Sequence, residues 1–543
     1  MKTSEIAIRG ERIVGLALAL VIVGELAPSF GSDAPPPGQL AEGRELFLRE
    51  WTPGDPRSPR GDGLGPVFND SSCVACHNSG GPGGGGPSSK DVDIVTAVFN
   101  GSTPPQAVVE PPTPRQPPPY LARAAMALLG IEQAKPGASR SSRPPRPDTK
   151  KLIEAHPGFR ASRSVVLHKS SVDPGYEAWR AMMTGMNQGG GLPGIPSSVQ
   201  GAEAELMRLR IMAQFESNSM KPQVQIGEFE LVHSRRNPTA LFGSGLIDSI
   251  PDEAIEAAAK VRYPDFPEVA GRVPRQKDGR IGRFGWKAQT PSLNDFVLTA
   301  CAVELGLEVP GHPQSGLPKP SIKMASQSVC KVELSVDGPS DPHPKAMANL
   351  APLDLTTEQC ASLEAYIRAL PKPIELNQAD KEVEAGRSLF SKVGCASCHS
   401  PKLGEVDGIY TDLLVHDMGA ELGDTGSYTP FVPGSEDPDF IDPPISDTVT
   451  SAEGITPSKA KTATGPASRQ EWRTPPLWGV RDSSPYLHDG RAPTLDRAIA
   501  LHGGQGEKSA KAYFSLTPRE RLQLQSFLKS LAAPEPAPSY AAR

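Results

Sequence analysis

A chain of 543 residues has room for two to four domains, but with 37% hydrophobic and 6% aromatic side chains its core is lean. The 53 glycines and 59 prolines point to compact units carrying long irregular loops, short of a wholly disordered composition. A formal net charge of -6, with no basic stripe and no phosphate-binding glycine loop, argues against nucleic acid as a partner.

The amino terminus sets Lys2, Arg9 and Arg12 before an apolar run from Ile13 to Val23, then small residues from Ala27 to Ser32. That order reads as a secretory signal over residues 1–31, and the run is about half the length needed to cross a bilayer. An exported, periplasmic chain without a stable membrane span is expected. After Pro35-Pro36-Pro37 an amphipathic helix is expected through Ala41-Glu42-Gly43-Arg44-Glu45-Leu46-Phe47. Next comes Cys73-Val74-Ala75-Cys76-His77. Two thiols and an adjacent imidazole at this spacing are what c-type haem attachment requires: the cysteines add across two vinyl groups and the histidine ligates the iron. A single copy also fits half a zinc site or a thiol-redox pair.

From Asn78 to about Arg146 glycine and proline dominate, so coil with polyproline stretches is expected, interrupted by a helix near Leu121 to Gln133. Apolar residues recur at helical spacing from Ala202 to Phe215, with Met207 and Met212 read as core side chains rather than haem ligands. A second motif, Cys395-Ala396-Ser397-Cys398-His399, follows Glu384-Ala385-Gly386-Arg387-Ser388-Leu389-Phe390, the counterpart of the first helix. Two copies with matching surroundings indicate a duplicated unit and two covalently bound haem c groups. Zinc would take two cysteine pairs close enough to share one ion.

The repeat continues beyond the motifs. Arg236-Asn237-Pro238 resembles Arg473-Thr474-Pro475, and Trp286 to Asp295 aligns without gaps on His488 to Arg497. Leu355-Thr356 and Leu516-Thr517 each open a helix, with Leu363, Tyr366, Ile367 and Leu370 in the same register as Leu524, Phe527, Leu528 and Leu531. Of the 7 cysteines, Cys301, Cys330 and Cys360 remain. A Cys301–Cys330 disulfide is left open, and Cys360 reads as a buried small hydrophobe.

The Arg-x-Pro-x-Leu block followed by His488-Asp489-Gly490-Arg491-Ala492-Pro493-Thr494-Leu495 resembles the bacterial dihaem cytochrome c peroxidase superfamily. Within it, Gly282 to Gln289, Thr411 to Gly419 and Leu501-His502-Gly503-Gly504 resemble the dihaem oxidoreductase family, whose members are classed as peroxidases or thiol oxidoreductases. The expected fold is mostly α: two tandem cytochrome c-like domains with long irregular loops and insertions. Residues 32–375 would form the N-terminal haem domain, 376–532 the C-terminal one and 533–543 a tail.

The resemblance implies roles for particular residues. It implies a six-coordinate second haem held by His399 and His502, with Met418 and His416 as rivals. Leu495, Ile499 and His502 share a helical face, and a second histidine would lower the iron potential relative to methionine. The repeat puts Ala300 opposite His502, so the first iron, held by His77, is either open or capped by His156, His168 or His233. Glu304 is implied as the proton-transfer group for peroxide cleavage, Trp286 as an aromatic between the haems, and Phe296 stands where a polar glutamine is usual. Arg473 and Arg491 are candidates to hold haem propionates, with surface ion pairs as the plain alternative. A calcium ion between the domains is also implied, although no ligand cluster identifies one. The expected function is an exported, peroxidase-like dihaem oxidoreductase. A small redox protein or quinol-linked donor would reduce the C-terminal haem, which passes electrons to the open N-terminal haem, where hydrogen peroxide is the oxidant. A non-catalytic dihaem electron carrier and a haem oxygenase acting on an organic substrate stay open as other readings.

Overall fold

The computed structural model describes residues 35–99, 149–160, 162–184, 200–219, 224–317, 352–424, 426–428 and 467–535. The expected secretory signal, the helix near Leu121 to Gln133, Cys330 and most of the tail lie outside them. No described helix is long and apolar enough to cross a membrane.

The sequence repeat reappears as repeated local structure. The helix Pro37–Leu48 packs on Thr357–Arg368, and Lys381–Lys392 packs on Pro518–Ser530. Each crossing is made at a glycine. A Cβ on Gly43 would stand 1.9 Å from the Ser362 carbonyl oxygen, and one on Gly386 would stand 2.0 Å from that of Gln523. Backbones this close leave no room for any side chain. Aromatic contacts flank both crossings, Phe47 with Tyr366 at 5.4 Å and Phe390 with Phe527 at 5.3 Å between ring centroids. Thr356 with Gln359, and Thr517 with Glu520, close the same reciprocal box at the start of the later helix in each pair, satisfying amides that a helix end leaves bare.

The turn between these elements is also duplicated. Phe284 bridges Thr290 and Tyr486 bridges Ala492, so Trp286 and His488 ride on equivalent turns. Gly285 and Leu487 are both left-handed, as are Ala288 and Gly490. Leu487 and Ala288 hold that conformation at a steric cost, which the surrounding packing must offset. Ser292 and Thr494 then cap the helices Leu293–Glu304 and Leu495–Ala500, each accepting from an amide three residues on.

Between the motifs the structure departs from expectation. A four-stranded antiparallel sheet forms in the order Ser164–Val166, Val92–Phe99, Phe229–Arg236, Val224–Ile226, and the strand Val92–Phe99 lies within the stretch from Asn78 to about Arg146 expected to be coil. Val92-Asp93-Ile94-Val95-Thr96-Ala97-Val98-Phe99 is rich in β-branched residues, and its flanking glycines and prolines masked that signal. One face buries Val95, Val165 and Leu231 against Leu152, Phe159 and Trp179. The helix Gly201–Ser219 forms as expected but joins the core of the later repeat through the buried Leu206. Met212, expected in the core, is 42% exposed on that helix.

Alanine at Gly386 or Gly43 is expected to destabilise the protein by about 1–3 kcal/mol through overpacking, outweighing its better helix propensity. At Gly38, where a Cβ meets nothing within 4 Å, alanine should be neutral or stabilising by up to about 1 kcal/mol. Denaturant unfolding of the three variants checks the contrast.

Candidate active site: two adjoining cavities

Each Cys-x-x-Cys-His motif opens onto its own cavity. The first, of about 140 Å³, is lined by Cys73, Cys76 and His77, and the second, of about 280 Å³, by Cys395, Cys398 and His399. Asn237, Pro238, Gly285, Trp286 and Phe296 line both, so they form the dividing wall. Trp286 is fixed there by its indole N–H, which donates to the Asn237 carbonyl at 2.9 Å.

The motif histidines each meet a carbonyl through Nδ1, His77 that of Gly84 at 3.2 Å and His399 that of Tyr410 at 3.1 Å. His399 Nε2 is left for the cavity, while the His77 ring also meets the Thr239 backbone at the cavity wall. In the second cavity His502 is tied like His399, its Nδ1 donating to the Ala498 carbonyl at 2.7 Å. Burial lowers the pKa of all three, to about 4 for His77 and His399, so at neutral pH their imidazoles are uncharged and can bind metal. His502 lies just past the helix Leu495–Ala500, and Arg210 of the Gly201–Ser219 helix holds that turn. Its guanidinium donates to the carbonyls of Ala500 at 2.6 Å and His502 at 3.2 Å, and pairs with Glu507.

The other sequence candidates are bound differently. His416 lines the second cavity, but Nε2 donates to Asp412 at 2.9 Å and Nδ1 to Gln505 at 2.8 Å, so neither nitrogen is free. Burial opposes its charge, yet Asp412 and Cys398 outweigh burial and raise its pKa. Met418 also lines this cavity, packed against the cluster of Leu422, Trp472 and Leu501. His168 and His233 donate to the carbonyls of Val303 at 2.8 Å and Met183 at 3.0 Å, while His156 Nδ1 accepts from the Gly158 amide. None of these three lines the first cavity, which favours the open alternative for the iron that His77 would hold. Each is buried where a backbone group needed a partner.

The first cavity holds an acid instead. Glu304 ends the helix Leu293–Glu304, and its Oε2 accepts from Asn69 at 2.6 Å while Oε1 accepts from the Tyr428 hydroxyl. Burial raises the Glu304 pKa against both of these hydrogen bonds, and raises that of the phenol further. Ala300 and Cys301 line the same cavity, and burial keeps the Cys301 thiol protonated. Sequence reasoning missed Asn69, Tyr428 and Arg210. Tyr428 has no counterpart in the repeat, and nothing in its neighbours marks it.

The twin arginines of the repeat diverge. Arg236 pairs with Asp424 at 2.8 Å, both 8% exposed at the side chain, and donates to the Gly426 carbonyl at 2.6 Å, which pins the segment carrying Tyr428. Arg473 is buried in the wall of the second cavity, meets only the carbonyls of Gly285 and Thr474, and has no acid partner among the described residues. Burial lowers its pKa to about 10, still charged at neutral pH. A buried cation without a counter-ion is costly, and a bound carboxylate would relieve it. Arg491 does not share this role: it pairs with Asp489 and lines neither cavity. Free imidazole nitrogens beside paired thiols, apolar walls and the unpaired Arg473 together fit iron porphyrins with anionic propionates. Among the described residues no group of three or more His, Cys, Asp or Glu converges as a separate metal site.

A family model described as "Di-haem oxidoreductase, putative peroxidase" matches residues 212–430 and 452–531, more than half of the chain. Methylamine utilization protein MauG of Methylorubrum extorquens is 30% identical over 162 residues, 29% of this chain and 36% of that protein. Cytochrome-c peroxidase IdrP2 of a Pseudomonas species is 30% identical over 167 residues, 28% of this chain and 40% of that protein. The chain thus spans two fifths or less of these relatives. The crystal structure of a MauG-like protein associated with microbial copper homeostasis aligns at 16% identity and a TM-score of 0.23, over 52% of this chain and 90% of that one.

Asp424→Asn would strand Arg236 and is expected to cost about 3–5 kcal/mol at neutral pH. Although burial raises the Asp424 pKa, Arg236 holds it well below the usual 3.8. Its stabilisation is therefore full above 3.8 and is lost only as pH falls through the depressed folded value. Denaturant titrations from neutrality downward should show a constant deficit that narrows only below that point. A deficit under about 1 kcal/mol would place the pair with ordinary surface bridges.

Proposed function

Because the chain belongs to the di-haem oxidoreductase family, we propose that it is an exported, periplasmic enzyme reducing hydrogen peroxide at its first haem. In this reading two cytochrome c-like units each hold a haem covalently, through Cys73 and Cys76 in one and Cys395 and Cys398 in the other. The observation that carries it is the difference between the cavities. The second presents two imidazoles, His399 and His502, each with Nδ1 tied to a carbonyl and Nε2 free. The first presents His77 on one side and, in place of a second imidazole, the Glu304 carboxylate.

Haem supplies the redox chemistry at both positions. The chain supplies ligands, protons and spacing. His77 and His399 would each ligate an iron, and His502 would be the further ligand in the second cavity, with Met418 the rival from the sequence. Tyr428 keeps its proton, donated to Glu304, and so does not close the first site as a phenolate. Glu304 accepts a proton from one peroxide oxygen and returns it to the other, a role needing a carboxylate within hydrogen-bond reach of the substrate. Trp286, in the wall shared by the cavities, would lie between the two haems on the path for electrons from the second to the first. Arg473 would anchor a propionate. A small redox protein or quinol-linked donor would refill the second haem. The implied calcium ion gains no ligand set from these residues and is left out of the scheme.

Cyanide should bind one equivalent of ferric holoprotein, at the first haem, and two equivalents once His502→Ala opens the second. Glu304→Gln should lower kcat/KM for peroxide by about 10²- to 10⁴-fold with both haems retained. No cyanide uptake by the parent protein would instead mark a capped electron carrier, and full peroxide turnover by Glu304→Gln would remove the proposed acid–base group.

A further inference from the structure

Of the tryptophans and tyrosines that line the cavities, Trp286, Trp472 and Tyr428 have a hydrogen-bonded N–H or O–H, and these three differ in what they can do after losing an electron. Trp286 donates its N–H to a carbonyl, which does not take up a proton. Trp472 also donates to a carbonyl, that of Leu422 at 3.0 Å, and it lies under two basic side chains, of which Arg236 is charged. Lys287 Nζ stands 3.6 Å and the Arg236 guanidinium 5.2 Å from its ring centroid. Positive charge over the ring opposes removal of an electron. Tyr428 alone of the three donates to a carboxylate.

That difference matters because an oxidised phenol is a strong acid. Its oxidation is practicable only where a base receives the proton at the same moment, and Glu304 Oε1 is such a base, already in hydrogen-bond contact. The other carboxylate oxygen is occupied by Asn69 at 2.6 Å, so the proton has one destination and one way back. The segment is held in register by Arg236, which bonds Asp424 and the Gly426 carbonyl two residues before Tyr428. Both groups line the first cavity.

We propose that Tyr428 is a redox-active tyrosine, giving one electron to the oxidised first haem and its phenolic proton to Glu304. The step balances: phenol and carboxylate become a neutral phenoxyl radical and a carboxylic acid, with one electron leaving. Peroxide, reduced to water, withdraws two electrons from the protein, and Tyr428 replaces one of them. The inference rests on the peroxide reading for its oxidant. It adds a reversible one-electron store on the chain itself, so the first site can reduce peroxide when only one electron is ready at the second haem, with a second electron from the donor later returning the phenoxyl radical, with the Glu304 proton, to phenol.

The protein contains its own control. Tyr513 donates to Asp496 at 2.7 Å, the same phenol–carboxylate pairing, but lines neither cavity. Ferric holoprotein mixed with hydrogen peroxide and freeze-quenched should give an organic-radical EPR signal that narrows when ring-deuterated tyrosine is incorporated. The signal should survive Tyr513→Phe and vanish in Tyr428→Phe, while optical spectra show that the haems of both variants are still oxidised. Oxidised haem without a radical, or a radical that persists in Tyr428→Phe, overturns the inference and leaves the peroxide reading standing. If peroxide leaves the haems unchanged, the peroxide reading fails. Flash oxidation of the same proteins with a ruthenium(III) complex then decides the inference: a Tyr428-dependent radical supports it, and its absence overturns it.

Discussion

A hydrogen bond from imidazole Nδ1 to a backbone carbonyl, made three times over, sets what both cavities can do. It fixes the ring of His77, His399 and His502 and places the proton on Nδ1, leaving Nε2 as the nitrogen able to bind metal. Everything further out is arranged around those three rings. The paired helices crossing at Gly43 and Gly386 back the two motifs, the capped turns bring up Trp286 and His488, and Arg210 braces the turn behind His502. The same unit, used twice, gives two cavities with a common wall.

What distinguishes the copies is placed by side chains that the repeat does not share. Where the later copy sets His502, the earlier helix runs on through Ala300 to Glu304. Where the later copy leaves Arg473 without an acid, the earlier one pairs Arg236 with Asp424 and so draws a piece of the second half into the first cavity. A buried ion pair is poor evidence of net stability, since the cost of desolvation rivals the attraction. Its value here is positional: with Asp424 held, Tyr428 reaches the Glu304 carboxylate. The first cavity is therefore lined from both halves of the chain, by Glu304 and Tyr428 among others, with Asn69 holding Glu304 from behind.

Much of this was legible in the sequence because it is local. Cys-x-x-Cys-His, a threonine three residues before Gln359 or Glu520, and apolar residues at helical spacing each act within a few positions, and the duplication let one copy be read against the other. The gapless alignment of Trp286 on His488 paired the two stretches, and their turns agree in backbone down to the left-handed residues. The sheet strand at Val92 was hidden by its glycine-rich flanks. Met212 followed a helical period that continues past the part of the helix that is covered. Tyr428, Asn69 and Arg210 act across more than a hundred positions and repeat nowhere, so no periodicity or spacing could have announced them. His156, His168 and His233 were ambiguous for the opposite reason: a histidine in the sequence says nothing of whether a carbonyl awaits it.

The central claim is that one iron is saturated by imidazole on both faces while the other is open beside an acid. Near-infrared magnetic circular dichroism of the ferric holoprotein tests it most directly, because the energies of the charge-transfer bands report the axial ligands of each haem. One low-spin band of the bis-imidazole type together with one high-spin band is expected. A band of the histidine–methionine type would hand the second iron to Met418, and two low-spin bands would contradict an open first site.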